Sequence, residues 1–323
     1  AILCDVISVS IDYSNFNVIV NMEKGEIEIY QHKTVVKNIE DPITEISIDE
    51  ARQVEEGLEL GDMYIDVIDP QKFGRRLINN AKQFFSQSLK DIEKQTIYDE
   101  YSNKIGNIII GSVHQIQKDR IFVICDDKEL ILPKNEQMPN DRYRRGESLR
   151  AVVKKVDITS RGPEVIISRS DNQFLEKLFA LEVPEIDDDI IEIRTVARAP
   201  GDRSKIIVYS SDKRIDAVGA CVGMKGMRIQ SIVRELNGEK IDIINWSEQP
   251  EILISRALSP ARPLDLYLDE ERSYAVAIFE EEDLAIAIGR NGQNIKLVSK
   301  ITGFTVDAMS KTEYEGEDKT EGE

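Results

Sequence analysis

The sequence predicts a multidomain α+β chain: a mixed first segment, a five-stranded β-barrel, and an α-β-β-α-α-β unit that occurs twice. Three observations carry this reading. Alternating apolar residues over 7–30 give way to a long helical period over 73–102. Five short strand patterns separated by turns fill 105–170. Beyond residue 171 one order of helices and strands runs through twice. A chain of 323 residues has room for several such domains.

In the first segment Ile7, Val9 and Ile11, then Phe16, Val18 and Val20, alternate with polar residues, as strands do. Asn21 to Gly25 reads as a turn, and Ile27 and Ile29 resume the alternation. Ser47 stands as an N-cap with Glu50 at the capping-box position, so a helix is expected from Ser47 to a C-cap at Gly57. Phe73, Leu77, Ala81, Phe84, Phe85, Leu89 and Ile92 fall near a 3.6 period and predict a long helix to Ser102.

Strands are predicted over 108–113, 120–125, 129–132, 149–156 and 164–168. Five strands in so short a stretch suit an OB-type barrel, which binds nucleic acid through aromatic stacking and basic residues. Phe122, Arg142 and Tyr143, with Arg144, Arg145 and Arg161, are the candidates there. Phe122 suits a core position equally well.

Setting Gly223 on Gly289 places Gly226 on Gly292, Ile229 on Ile295 and Ile232 on Val298. A helix precedes each glycine pair, and a helix, a Gly turn and a strand follow it. Upstream of each lie a helix and a hairpin. This order is that of a type II KH module, present in tandem. In a G-x-x-G turn glycine tolerates unusual φ and has no side chain to block a sugar-phosphate backbone. The next helix aims its free N–H groups at phosphate. Such a loop clamps about four nucleotides of single-stranded RNA beside an apolar groove. One G-x-x-G alone would arise by chance; two in matched frames do not.

The residues expected at RNA are therefore Gly223, Met224, Lys225 and Gly226 in one loop, and Gly289, Arg290, Asn291 and Gly292 in the other. Lys213, Arg214 and Arg228 lie near the first loop and Asn294 near the second. Arg198 and Ser204 flank the hairpin turn Ala199-Pro200-Gly201-Asp202.

A net charge of -18 argues against nucleic acid until its distribution is read. Residues 40–69 hold eleven acids and one base, whereas 194–240 holds ten bases and five acids. The first module thus sits among bases, and together with the barrel's basic loop it is expected to supply most of the electrostatic affinity, the second module adding register and groove contacts. The second follows 265–283, where eight acids face Arg272 alone.

Three scattered cysteines and two distant histidines, His32 and His114, offer no disulfide framework, metal spacing or catalytic set. No catalytic residue, cofactor or metal is expected. No apolar run approaches the ~18 residues of a membrane helix, no signal-peptide pattern opens the chain, and a reducing cytoplasm is the expected compartment.

Ser211 to Asp216 running into Val218 to Gly226, Ile241-Asp242-Ile243, Ala287 to Asn294 and Glu182 to Ile186 closely resemble the NusA family over 105–310. Ile48 to Arg52 and Leu60-Gly61-Asp62 extend the resemblance more weakly over 1–104. The resemblance implies a non-enzymatic bacterial transcription factor. It would bind RNA polymerase and the nascent single-stranded RNA, act on pausing, intrinsic termination and antitermination, and work with other antitermination factors. It implies a polymerase-binding domain over 1–104, a barrel of ribosomal-protein-S-one-like type over 105–171, and KH domains over 172–248 and 249–310, whereas the acidic composition of 311–323 predicts a short disordered tail in place of the acidic repeats some members carry. A monomer is expected. The family opens with a helix, whereas strand-like alternation starts here at Ile7, so that helix is expected to be missing or very short. A general KH and barrel RNA-binding protein of translation or RNA chaperoning is the alternative. An exoribonuclease of the polynucleotide phosphorylase kind would place one KH module before its barrel, the reverse of the order here.

Overall fold

A computed structural model describes residues 15–21, 26–68 and 75–320. The chain divides into two compact units, one ending at Ile97 and the other starting at Tyr98.

The first unit holds β1 (Phe16–Asn21), β2 (Glu26–Val36), β3 (Glu45–Ser47), α1 (Ile48–Val54) and β4 (Met63–Ile68). The long β2 organises the sheet. It pairs antiparallel with β1 and β4 and parallel with β3. Val35, Ala51 and Tyr64 form a small core with Ile46, Ile48 and Leu58 against it. Ser47 caps α1 as expected, its hydroxyl accepting from the Glu50 N–H at 3.3 Å. The helix stops earlier than Gly57, because Glu55 is already extended and closes the last turn onto the Ala51 carbonyl. The strands expected over 7–11, the opening helix, Cys4 and Phe73 lie outside the described residues.

Helix α2 (Arg75–Ser102) runs from the first unit into the second. Of its 3.6-period stripe, Phe84, Phe85, Leu89 and Ile92 are all exposed. At its end Tyr101 is fully buried and donates to the Cys125 carbonyl, 3.3 Å away.

That carbonyl belongs to a closed barrel of β5 (Ile108–Ile116), β6 (Arg120–Cys125), β7 (Lys128–Pro133), β8 (Ser148–Thr159) and β9 (Gly162–Ser168), in the order β5-β6-β7-β9-β8. One parallel pair, Ile131 to Ile166, joins β7 to β9. Alternate residues Ile121, Val123 and Cys125 of β6 point inward, which leaves Phe122 half-buried on the other face.

The repeated unit follows in the predicted order. The first copy comprises α3 (Asn172–Glu182), a short α4 (Pro184–Asp187), β10 (Glu192–Ala199), β11 (Arg203–Tyr209), α5 (Ala217–Val222), α6 (Met227–Glu235) and β12 (Lys240–Asn245). The second comprises α7 (Pro250–Ala257), β13 (Asp265–Asp269), β14 (Tyr274–Phe279), α8 (Glu281–Ile288), α9 (Gln293–Thr302) and β15 (Thr305–Ser310). In each sheet the first two strands pair antiparallel and the third joins in parallel.

The faces of the first sheet serve two cores. Ile206 and Val208 of β11 pack with Phe174, Phe179, Cys221 and Ile232, the module's own helices. Ile207, between them, packs with Leu297, Val298 and Ile301 of α9 in the second module. On that same face Lys205 is fully buried and donates to Asp242 at 2.7 Å and to the Ser259 carbonyl at 3.2 Å. Burial lowers its pKa more than Asp242 raises it. Met138 and Val152 of the barrel join the first module's core in turn, so barrel and both modules are continuous through packed side chains.

The tail corrects an expectation. Lys311–Thr320 is a helix, α10, not a disordered stretch. Ser310 and Glu313 form a reciprocal capping box: the Glu313 N–H donates to the Ser310 hydroxyl at 3.2 Å, and the Ser310 N–H donates to the Glu313 carboxylate at 3.1 Å. Tyr314 stacks on Tyr267 with ring centroids 5.2 Å apart. Ser310→Ala is expected to cost about 1 kcal/mol of local helix stability. Amide hydrogen exchange should therefore speed up over 311–320 while the barrel is unchanged.

Candidate nucleic-acid interface

The two loops have one backbone. Gly223, Lys225 and Gly226 have φ of 74°, 53° and 74°; Gly289, Asn291 and Gly292 have 73°, 55° and 69°. The first glycine of each pair is demanded by crowding. A Cβ on Gly223 would lie 2.7 Å from Arg228 Cγ, and one on Gly289 would lie 2.7 Å from Asn294 Cβ. The second glycine is demanded by conformation alone, since the nearest atoms to such a Cβ are 3.7 Å away at Gly226 and 3.8 Å at Gly292. A Cβ at either place would meet its neighbours at ordinary contact distance. Helices α6 and α9 both begin from these glycines with no side-chain cap, and only their first N–H groups, those of Met227 and Gln293, turn back onto the Met224 and Arg290 carbonyls. Uncapped N–H donors at the start of a helix are an anion site.

Lys225, Arg290 and Asn291 are exposed on the loops, as is Met224. Lys213 and Arg214 are exposed beside the first module's α5, but Arg214 is paired with Asp212 at 2.7 Å. The Arg214 bond also holds the Asp212 carboxyl below its usual range. Lys296 was not anticipated. Its side chain runs back along α9 to within 3.8 Å of where a Gly292 Cβ would stand. The i+4 spacing from Gly292 is the signal that would have found it. The second loop therefore carries two bases of its own, Arg290 and Lys296, despite the acids upstream.

Four expected contacts have structural duties instead. Arg198 is 5% exposed and its guanidinium grips the fully buried Glu239 twice, at 2.8 and 2.9 Å. Its Nη1 donates to both the Arg169 and Asp171 carbonyls, and its Nη2 also reaches the Met138 sulfur. Ser204 is fully buried and donates to the same Glu239, which also accepts from the Gly201 N–H at 2.8 Å. These two residues cannot face RNA, because the turn they flank is folded onto Glu239. Asn294 is 1% exposed and spans the second loop, donating to the Ala287 carbonyl at 3.0 Å. Arg228 holds the equivalent place in the first module. It donates to the Ala220 carbonyl at 2.7 Å and to Glu185 at 2.9 Å. Both side chains tie the second helix to the end of the first and so set the loop. Arg228→Ala should weaken RNA binding while leaving the salt slope unchanged. A phosphate contact would instead lower that slope by about one unit.

On the barrel, Arg142 and Tyr143 line a cleft of about 440 Å³ with Arg150, Arg169 and Arg234 at the seam with the first module. Tyr143 donates to Asp141 at 2.8 Å, and burial raises its pKa. Asp141 also accepts from Arg169, which reaches on to Glu235 at 2.8 Å. The connection carrying Arg142, Arg144 and Arg145 is thus anchored at Asp141, with the three arginines left exposed.

Cys125 and Cys221 are free and buried, and burial pushes the Cys221 thiol up to about 12. Among the described residues no group of His, Cys, Asp and Glu could hold a metal ion, and no helix is long and apolar enough to cross a membrane.

Family models match three stretches in this order: the NusA N-terminal domain over 6–95, the NusA-like first KH domain over 169–246 and the NusA-like second KH domain over 250–316. The chain is similar to the transcription termination/antitermination protein NusA of Bacillus subtilis (strain 168), 40% identical over 299 residues, covering 93% of this chain and 81% of that one. It is similar to the protein of the same name from Thermus thermophilus at 38% over 291 residues, 90% of this chain and 75% of that one. The solution structure of the N-terminal domain of NusA from B. subtilis is 29% identical, covers 28% of this chain and 75% of that one, and has a TM-score of 0.22, which carries no argument. Both loop-bearing modules and the segment before them are matched in order, over three quarters or more of those two relatives, and the chain belongs to the NusA family.

Proposed function

We propose that this chain is a transcription elongation factor. It binds RNA polymerase through residues 1–104 and the emerging single-stranded RNA through the rest, and so acts on pausing, intrinsic termination and antitermination. The observation that carries the RNA half is the pair of loops with one backbone conformation and uncapped helix starts. The polymerase half rests on family membership and on the names of the relatives, termination/antitermination proteins. The open apolar stripe of α2 and the acidity of 40–69 suit a protein partner on that segment.

The closed five-stranded barrel over 105–171 is of OB type, of the ribosomal-protein-S-one-like kind. Residues 172–248 and 249–310 are type II KH domains, and 311–323 an acidic tail. RNA contacts fall to the two loops, Lys213 and Arg214, with Phe122, Arg142 and Tyr143 on the barrel. Other antitermination factors bind the assembled complex, and the chain itself catalyses no reaction. A pause assay with a bacterial RNA polymerase tests this. Added protein should lengthen the dwell at a hairpin-stabilised pause, and an unchanged dwell would refute it.

A further inference from the structure

The two loops share a backbone but not a surface. Met224 is 80% exposed and Met227 60% exposed, on either side of Lys225 and Gly226. The second module has Arg290 and Gln293 at those places. Met227 and Gln293 have nearly the same angles, φ -62° and -68°, ψ -40° and -38°. The fold is therefore built equally well with polar side chains there. Neither methionine joins either of the two cores that contain the modules. Two large thioethers held in water beside a polar-tolerant turn call for an occupant other than this chain's own core.

We propose that Met224 and Met227 form an apolar lip that takes the face of one unstacked nucleobase, while Lys225 and the uncapped start of α6 hold the adjoining phosphate. This rests on the reading that the first loop grips single-stranded RNA. A nucleobase suits the site for three reasons. The loop's charge and N–H donors call for a phosphate chain. Single-stranded RNA presents an unstacked π-face next to each phosphate. Thioether sulfur packs favourably on aromatic rings and adapts its shape to them. The modules then divide the work. The first loop adds an apolar, salt-independent contact to its grip on phosphate, and the second holds the backbone through Arg290, Asn291 and Lys296 without such a lip.

The test is binding of a 12-nucleotide single-stranded RNA of mixed sequence by fluorescence anisotropy, with the full chain, across a salt series. The variants are Met224→Gln with Met227→Gln, which copy the polar character of the second loop, and Gly226→Asp as a control for the loop itself. Thermal melts confirm that each variant folds. The methionine variant should bind about tenfold more weakly with the same salt slope, in keeping with the loss of one stacked base. A second series replaces one nucleotide at a time by an abasic ribose. At one position the abasic RNA should bind wild type about tenfold more weakly and the methionine variant no more weakly still. Wild-type affinity in the methionine variant, with weakening by Gly226→Asp, would overturn the lip and leave the loop standing. No weakening by Gly226→Asp either would overturn the reading beneath it. Equal losses on intact and abasic RNA at every position would also overturn the lip and point to a protein contact.

Discussion

Replacing Arg198 by Ala should destabilise the second unit by about 3–5 kcal/mol, the usual cost of leaving a buried charge without its partner. The charge left behind is Glu239, fully buried, which would keep only Ser204 and the Gly201 N–H. The carbonyls of Arg169 and Asp171 would lose a donor as well. Equilibrium unfolding in urea would read this as a lower midpoint. Replacing both partners, Arg198→Met with Glu239→Leu, should restore part of the loss, because an apolar pair leaves no bare charge. Wild-type stability in Arg198→Ala together with weaker RNA binding would return Arg198 to the RNA surface.

Gly226→Asp combined with Gly292→Asp should have the opposite profile, with RNA affinity lost and stability kept. Asp is among the few residues that accept a left-handed φ. A Cβ at either glycine would make only ordinary contacts, so the cost to the fold is that of the left-handed φ alone. A carboxylate at a helix start is favourable for the helix itself. For RNA it is a negative charge set where a phosphate must come, once per loop, and at Gly292 it also lies within reach of Lys296. Affinity should fall at least about tenfold, roughly 1.4 kcal/mol, measured by anisotropy at low salt beside a thermal melt. Gly223→Ala is the contrasting variant, since its methyl group would run into Arg228 and disturb packing first.

The repeated frame was legible because both copies obey local rules. The glycines, the 3.6-period Ile229, Ile232 and Leu236, and the closing strand all follow from spacing within some thirty residues. The barrel strands were legible for the same reason, by alternation. Arg198 was not. A base beside a Pro-Gly turn reads as solvated, and what buries it is Glu239, 41 residues further on. Asn294 and Arg228 misled in the same way: a polar residue just past a G-x-x-G reads as a contact, whereas both bind carbonyls on the preceding helix. The tail reads as disordered from its acidic composition alone. Its capping box, Ser310 with Glu313, stood in the sequence, but the Tyr314–Tyr267 stack that also holds it spans 47 positions. One clue to the joined modules was local. The unbroken apolar run Ile206-Ile207-Val208 marks a strand covered on both faces, and the second cover is α9.

That second cover turns the pair of loops into a gauge. With α9 seated on the back of β10 and β11, and Lys205 buried between the modules, folding fixes the span from Gly226 to Gly292 before any RNA arrives. On the proposed RNA reading, a strand held at one loop would meet the other with no linker to order, so the second grip would come as an intramolecular event at high effective concentration. The gain goes only to RNA whose gripped nucleotides lie the right distance apart. Inserting or deleting nucleotides between them would forfeit it. The packing of a helix on a sheet would thus become a measure of length along a transcript.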